Sequence, residues 1–181
     1  MAATCALYED FLTLEHADSL FKRLYEEVEW QQEAFKIFGK HCNVPRLTAW
    51  FGDAGVCYRY TGIDHVAGGW PGYLAELRER VEHHCQQPFN FVILNRYDDG
   101  QQYMGWHRDQ ERGCKPDIAS ISLGATRRFK IADIEQHVAH ELFLAHGSLL
   151  HFDGFLRHSL PATRKPSACR VNLTFRFVEQ V

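Results

Sequence analysis

The sequence predicts an α+β fold with a mainly β core, in which helices pack outside a double-sheet jelly roll. Two observations lead to it. Two amphipathic helical patterns lie in the first half of the chain, and after residue 89 short apolar runs follow one another between turns. With 181 residues, of which 45% are hydrophobic, the chain can bury one core. We therefore expect a single domain, with a helical N-terminal part over about residues 1–88 and a jelly-roll core over about residues 89–181.

The first helix is predicted over residues 14–30, where apolar residues recur at helical spacing between charged ones. Its apolar stripe consists of Leu20, Leu24 and Val28. The second helix is predicted over residues 71–84, because Pro71 suits a first helical turn. Its buried stripe consists of Leu74, Leu77 and Val81.

Strands are predicted where short apolar runs are bounded by Asp-Gly or single glycines. These runs are residues 91–94, 118–123, 129–131, 148–152 and 171–177. Together with neighbouring short segments they indicate seven or eight antiparallel strands after the helices, which favours the double-sheet jelly roll.

Charge and cysteine content restrict the function and the compartment. A net charge of −3 argues against nonspecific coating of nucleic acid, so such a partner would need a local basic patch. The six cysteines form no CxxC pair and follow no secretory signal, which indicates neither a zinc ribbon nor a disulfide framework. No apolar run approaches the ~18 residues of a membrane span. We expect an intracellular monomer, cytoplasmic if bacterial and nuclear if eukaryotic.

A metal site is indicated by His107 and Asp109. Side chains two positions apart on an extended segment point to the same side, so one short stretch supplies two neighbouring ligands. A third ligand from a distant strand, such as His158, would complete a two-histidine, one-carboxylate triad that leaves metal positions open.

Two further His-x-Asp pairs compete with this assignment. His16 and Asp18 lie in the first predicted helix, where residues two apart diverge by about 200°, so they do not share a metal. His151 and Asp153 are close to a predicted strand and to His158, and spacing alone leaves this pair open.

An anion site is indicated by the last predicted strand. Its polar residues alternate strictly with apolar ones, although a half-solvated strand would have the same pattern. These polar residues are Arg170, Asn172, Thr174 and Arg176. Asn95 and Tyr97 share one face of another, mostly apolar strand. A dicarboxylic cosubstrate needs a guanidinium for bidentate pairing, which either arginine can supply.

Seven short motifs follow one another along the chain. They are Phe38-Gly39-Lys40, Val44-Pro45-Arg46, Gly52-Asp53-Ala54-Gly55, Asn95-Arg96-Tyr97, His107-Arg108-Asp109, His158-Ser159-Leu160-Pro161 and the segment from Arg170 to Arg176. In this order they resemble the AlkB family of Fe(II)- and 2-oxoglutarate-dependent dioxygenases, in the branch that repairs alkylated DNA. The resemblance covers nearly the whole chain from about Ile37.

The resemblance implies a double-stranded β-helix, or cupin-like jelly roll, and selects His107, Asp109 and His158 as ligands of Fe(II). It implies 2-oxoglutarate and O2 as cosubstrates, with ascorbate as the reductant in assays. It further implies that Arg170 pairs with the far carboxylate of 2-oxoglutarate. The remaining cosubstrate contacts would come from Asn95, Tyr97, Asn172, Thr174 and Arg176.

The implied reaction is oxidative demethylation of bases such as 1-methyladenine and 3-methylcytosine in DNA, with release of formaldehyde. The base must leave the stack and be held between planar side chains, for which the resemblance suggests Tyr60 and His107. A core aromatic is the alternative for Tyr60. Glu111 continues the face of Asp109 if the chain stays extended, and its charge would favour a cationic base. A solvated loop residue is the alternative for Glu111.

Contacts to the nucleic acid are expected in the N-terminal part, which would carry a nucleotide-recognition lid, and in one C-terminal loop. Phe38, flanked by Ile37 and Gly39, fits an apolar wedge between bases, with a core position as the alternative. The phosphate contacts would be Lys40, Arg46, Arg164 and Lys165, of which the last two are also typical of a solvated loop.

Three other functions compete with DNA demethylation. An AlkB-like oxygenase can act on RNA or protein, and a jelly roll can bind nucleic acid without a metal. A zinc hydrolase could use the same triad, but it would have no use for the polar face from Arg170 to Arg176.

Overall fold

The computed structural model describes residues 5–37, 40–60, 62–132 and 139–180, with only the backbone for residues 35–37, 40–42 and 139. The helices are α1 (Leu14–Glu27) and α2 (Gly72–Cys85). The strands are β1 (Cys5–Tyr8), β2 (Ala34–Ile37), β3 (Lys40–Asn43), β4 (Leu47–Gly52), β5 (Cys57–Tyr60), β6 (Ile63–Val66), β7 (Phe91–Tyr97), β8 (Met104–His107), β9 (Asp117–Gly124), β10 (Arg127–Ala132), β11 (Ala139–Leu144), β12 (Ser148–Asp153), β13 (His158–Leu160) and β14 (Arg170–Arg176).

The first predicted helix is confirmed but ends three residues early. Thr13 caps its start by accepting a hydrogen bond from the N–H of His16. Val28 is already extended, and the indole N–H of Trp30 donates to the carbonyl of Leu24 at 3.2 Å. The indole thus adds a side-chain donor at the last turn of the helix.

The second predicted helix is also confirmed, with Pro71 at its start. Its predicted stripe of Leu74, Leu77 and Val81 is buried, and Gln86 ends the helix in the left-handed conformation (φ 53°). Within the described residues, neither helix has the length and apolar character that a bilayer-spanning helix needs.

The larger sheet has six strands in the order β1-β12-β9-β14-β7-β4, and all its pairs are antiparallel. Val171, Leu173 and Phe175 of β14 are fully buried in one cluster with Leu24 of α1 and Leu77 of α2. Both helices therefore cover this outer face of the sheet.

The smaller sheet has four strands in the order β11-β10-β13-β8. Phe129 and Ile131 of this sheet pack with Leu150 and Phe152 of the larger sheet in a second cluster. The two sheets thus enclose a core between them, and the predicted jelly-roll fold with helices outside is confirmed. The site described below opens into this space.

The first half of the chain contains strands that the sequence analysis did not predict. β1 and β4 form the two edges of the larger sheet, while β2–β3 and β5–β6 are separate two-stranded hairpins. The part expected to be helical therefore also contributes six strands among the described residues. These strands have only four to six residues, and burial is mixed along β1, β4, β5 and β6, so they lack the long apolar runs by which the later strands were predicted.

Candidate active site

The structure brings the three predicted metal ligands together at the end of the smaller sheet. His107 ends β8 and lies directly opposite His158 of β13. Asp109 follows β8, where its backbone N–H donates to the carbonyl of Gly154 at 2.8 Å. One ligand atom from each of the three side chains lies within 4.8 Å of the others. This is the spacing at which one cation can be held by all three.

Both histidines present the same ring nitrogen to the site. The Nδ1 of His107 is 2.8 Å from the carbonyl of Gly105, and the Nδ1 of His158 is 2.8 Å from the carbonyl of Leu156. A carbonyl only accepts, so Nδ1 carries the proton in each ring and Nε2 keeps its lone pair. The two Nε2 atoms lie 3.6 and 4.0 Å from the Asp109 Oδ1.

The charge states suit a divalent cation. Burial lowers the pKa of His158 to about 4, so its ring is neutral near pH 7. For Asp109, burial alone would raise the pKa, but Arg176, His158 and His107 outweigh it and lower the pKa. An ionised Asp109 and a neutral His158 are the forms in which these two side chains bind a metal ion.

The competing pair of His151 and Asp153 does not face this site. Phe152 points into the core between the sheets, so His151, its neighbour on β12, points to the opposite face. Its Nε2 lies 3.3 Å from Asp117, and Asp153 accepts a hydrogen bond from the N–H of Phe155. Among the described residues, His107, Asp109 and His158 form the group that could hold a metal ion, and His151 and Asp153 are not part of it.

The polar face of β14 is buried beside the metal ligands and is not half-solvated. Its four side chains are at most 9% exposed. In the register of the larger sheet, Asn172 lies opposite Asn95, and Arg170 lies opposite Tyr97. All six predicted cosubstrate residues line one cavity together with the three metal ligands. They are Asn95, Tyr97, Arg170, Asn172, Thr174 and Arg176.

Arg170 is a buried guanidinium without a carboxylate partner among the described residues. It is 2% exposed, donates from Nη2 to the Ser122 hydroxyl at 2.9 Å, and lies over the Tyr97 ring at 5.5 Å. Its Nε is buried without a hydrogen-bond partner, and no carboxylate of the described residues forms an ion pair with it. Burial lowers the pKa of Arg170 to about 10, so it is charged at neutral pH. A buried cation with unused donors fits the carboxylate of 2-oxoglutarate.

Arg176 lies beside a metal ligand as well as in the cavity predicted to hold the cosubstrate. Its Nη2 lies 3.3 Å from the Asp109 Oδ2, and its Nη1 donates to the Tyr58 hydroxyl. Burial alone would lower the pKa of Arg176, but Tyr58 and Asp109 raise it. Arg176 therefore supports a metal ligand through the oxygen that the histidines do not approach.

Asn172 and Thr174 are largely occupied by each other and by β9. The Asn172 amide donates to the Ser120 hydroxyl at 2.7 Å and to the Ile121 carbonyl at 3.0 Å. Its oxygen accepts a hydrogen bond from Thr174 at 2.8 Å. Sequence analysis did not single out Ser120 or Ser122, since serines in an apolar strand are also typical of ordinary core positions.

Arg46 is a correction. Arg46 was expected to contact a phosphate, but its side chain is 4% exposed and lines the cavity. Its Nε donates to the Asn95 side chain at 2.7 Å, and its Nη2 donates to the Tyr60 hydroxyl at 3.0 Å. A motif shows the position of an arginine in the chain, but the partners of Arg46 lie 49 and 14 residues away.

Tyr60 is partly buried, lines the cavity with His107, and also packs against a core cluster that contains Tyr58. Its ring is stacked on that of Tyr58, with the centroids 6.0 Å apart. Tyr58 is 1% exposed and was not predicted as a site residue. Its even spacing from Tyr60 on one strand was the available signal.

Glu111 lies beyond the end of β8 and begins a turn, so a loop and not a β-strand places its side chain. The Glu111 carbonyl accepts a hydrogen bond from the N–H of Cys114 at 2.9 Å. The carboxyl nevertheless turns inward, and its Oε2 is buried without a hydrogen-bond partner among the described residues. Burial, followed by the charge of Asp109, raises the pKa of Glu111. The Glu111 side chain is therefore not that of a solvated loop residue.

The expected nucleic-acid contacts are only partly described. Phe38 lies outside the described residues, and for Lys40 only the backbone, in β3, is described. Arg164 and Lys165 are exposed in the loop between β13 and β14, where they line a surface groove with Arg128.

The family model and the relatives that this chain matches indicate the same family. The model of the 2OG-Fe(II) oxygenase superfamily matches residues 4–176. The DNA oxidative demethylase ALKBH2 of Bos taurus is 41% identical over 177 residues, which is 88% of this chain and 64% of that protein. The alpha-ketoglutarate-dependent dioxygenase alkB homolog 3 of Rattus norvegicus is 33% identical over 188 residues, 95% of this chain and 63% of that protein.

The chain thus spans slightly less than two thirds of the length of these two relatives. Among solved structures, that of OsALKBH1 has the same fold, with a TM-score of 0.65, 15% identity, and coverage of 97% of this chain and 99% of that one. The family match and these relatives agree with the cluster of His107, Asp109 and His158 beside Arg170. The chain belongs to the 2OG-Fe(II) oxygenase superfamily, in its AlkB-like branch.

Proposed function

We propose that this chain is an Fe(II)- and 2-oxoglutarate-dependent dioxygenase that demethylates alkylated DNA bases, of the 1-methyladenine and 3-methylcytosine type. The observation that carries the proposal is a metal triad and an anion-free buried guanidinium in one cavity. A relative that is a DNA oxidative demethylase supports the choice of substrate.

The triad would hold the metal through the two Nε2 atoms and the Asp109 carboxylate. Arg176 neutralises the second oxygen of Asp109 and keeps the carboxylate turned toward the histidines. Arg170 would bind the far carboxylate of 2-oxoglutarate, with Tyr97 against its guanidinium. When bound, Fe(II), 2-oxoglutarate and O2 supply the oxidation of an N-methyl group, which yields succinate, carbon dioxide and formaldehyde.

The base would enter from the side of Tyr60 and His107. A methylated base in a duplex is inaccessible, so it must be flipped out or come from a single strand. The two rings would hold it from opposite faces. Glu111, with a buried oxygen that lacks a partner, would accept a hydrogen bond from the exocyclic amine. When ionised, it also favours a cationic methylated base over the neutral parent.

The remaining features of the proposal concern the nucleic acid as a whole. Lys40, Arg164 and Lys165 would contact phosphates, and Phe38 would act as a wedge in a duplex. The part over about residues 1–88 would include the nucleotide-recognition lid of a single domain, and about residues 89–181 would form its jelly-roll catalytic core. Because one chain supplies every residue of the site, a monomer suffices. A DNA substrate implies the nucleus of a eukaryote or the cytoplasm of a bacterium.

Formaldehyde release from oligonucleotides with one 1-methyladenine tests the function. We expect release that needs Fe(II), 2-oxoglutarate and ascorbate together, and that is greater on DNA than on RNA of the same sequence. Turnover without 2-oxoglutarate would favour a hydrolase, and binding without any turnover would favour a binding module. A higher rate on RNA would overturn the choice of substrate but not the choice of reaction.

A further inference from the structure

A buried acid-histidine pair lies outside the metal site. The Glu33 Oε1 is 2.5 Å from the His65 Nε2, and the two side chains are 6% and 0% exposed. Burying two ionisable groups is costly unless each is paired, so such a pair needs an explanation. Neither residue takes part in the chemistry described above.

The hydrogen bonds of His65 determine where the protons of the pair lie. The Nδ1 of His65 is 3.2 Å from the carbonyl of Tyr58, which only accepts, so Nδ1 carries a proton. The short contact between Nε2 and the carboxylate then requires a second proton on one of these two atoms. Glu33 and His65 are therefore joined by a directional hydrogen bond with a charged or acidic partner, and the bond fixes the orientation of both side chains.

The bond connects elements that backbone pairing leaves separate. His65 is on β6, and the β5–β6 hairpin forms a two-stranded sheet of its own. Such hairpins are marginally stable alone. Glu33 directly precedes β2, and its carbonyl accepts a hydrogen bond from the N–H of Val44 just after β3. Glu33 thus lies at the base of the β2–β3 hairpin, and the bond to His65 ties one hairpin to the other.

His65 also lies between the larger sheet and the cavity wall. Its ring meets the Trp50 ring of β4 edge to face, with the centroids 4.5 Å apart. On the other side it meets the ring of Tyr60 at 6.4 Å, and it holds the carbonyl of Tyr58. A tilt of His65 would therefore shift the strand that carries both tyrosines.

We propose that Glu33 and His65 are a positioning pair that fixes the β5–β6 hairpin, so that Tyr60 stands at the set distance from His107 that a flipped base requires. This inference rests on the proposed function, since it assumes that Tyr60 holds the base. The pair touches neither the base nor the metal and acts through Tyr58 and Tyr60.

The test measures the affinity of metal-free protein for a single-stranded DNA oligonucleotide with one 1-methyladenine, by fluorescence anisotropy, together with KM and kcat of the complete enzyme. His65→Leu should weaken binding and raise KM for the oligonucleotide by about tenfold, while KM for 2-oxoglutarate stays within about twofold of wild type. Glu33→Gln should have nearly the wild-type affinity and KM for the oligonucleotide. Its amide can donate to the His65 Nε2 while the His65 Nδ1 still donates to the carbonyl of Tyr58.

A double variant separates positioning from stability. Glu33→Leu with His65→Leu replaces the pair with apolar side chains, which is often neutral or favourable for folding. We expect a melting temperature near that of wild type and the same loss of oligonucleotide affinity as His65→Leu. Asp64→Asn is the matched control, because it removes an exposed ion pair with Arg59 on the same hairpin and should change neither value.

The outcomes are distinguishable. If Tyr60→Ala weakens oligonucleotide binding and the double leucine variant binds like wild type, the pair does not position the hairpin and the inference is wrong. If the wild-type enzyme does not turn over the methylated oligonucleotide, the proposed substrate is wrong. The same holds if Tyr60→Ala leaves the affinity for the oligonucleotide unchanged. In either case this inference is wrong as well. Loss of affinity in the double variant at an unchanged melting temperature supports the inference.

Discussion

Replacing Arg170 with methionine should raise KM for 2-oxoglutarate by roughly two orders of magnitude. The side chain is 2% exposed, its Nε lacks a partner, and it forms no ion pair with a described carboxylate, so its unused donors are available to the cosubstrate. A charge-assisted hydrogen bond contributes about 1.5–3 kcal/mol, and losing a bidentate pair at about 3 kcal/mol corresponds to a factor of roughly 150. Arg170→Lys should recover part of this, because a lysine supplies the charge without the planar pair of donors.

The assay is steady-state formaldehyde release against 2-oxoglutarate concentration at a saturating methylated oligonucleotide, with KM for the oligonucleotide as the internal control. The melting temperature without ligand should change little, since methionine removes a buried charge that has no carboxylate partner. Added 2-oxoglutarate should stabilise the wild type much more than Arg170→Met.

Arg176→Met is the comparison, and it should lower kcat because Asp109 loses its cation. An unchanged KM for 2-oxoglutarate in Arg170→Met, with a large change in Arg176→Met, would show that the two roles are exchanged.

Three further predictions separate the other assignments. Alanine at any one of the three metal ligands should abolish turnover and Fe(II) binding with the fold retained, whereas His151→Ala should be mild; an essential His151 would contradict the choice of triad. Phe38→Ala should reduce repair of duplex DNA by about tenfold, or roughly 1.4 kcal/mol, and spare single strands, because unstacking costs energy only in the duplex; equal loss on both, with a lower melting temperature, would indicate a packing residue. Arg46→Gln should leave the salt dependence of single-strand binding unchanged, whereas Arg164→Gln should reduce the slope of log K against log salt concentration by about 0.7. The opposite result would show that Arg46, and not Arg164, contacts a phosphate.

The parts of the structure that sequence analysis predicted well depend on local patterns. The alternation along β14 identified both its polar and its apolar face, because neighbouring strand positions point to opposite sides. Leu74, Leu77 and Val81 of α2 were predicted as buried because residues three and four apart lie on one side of a helix. In each case the element buries a face along its whole length, so a single local rule determines which side chains are inside.

What sequence analysis missed depends on contacts between distant segments. His65 is fully buried in a four-residue strand, where it contacts Glu33, 32 residues away, and the Trp50 ring of the larger sheet. Arginines are usually exposed, but the Arg46 guanidinium points inward, where it donates to the Asn95 side chain. Arg170 and Arg176 lie on the same face of one strand, and only Asp109 distinguishes the occupied guanidinium from the available one. The family resemblance ranked the two arginines, but the physical reason for the ranking comes from the fold.

The placement of His107 has a mechanical consequence. β8 is the terminal strand of the smaller sheet and has four residues, and its pairing with β13 shifts register after His158. A short terminal strand of this kind opens readily by local unfolding. A cation held by His107 and His158 would cross-link β8 to β13 like a staple, so the metal would also close the end of the sheet. Amide hydrogen exchange in β8 should then slow on metal loading more than exchange in β14, which lies between two neighbouring strands.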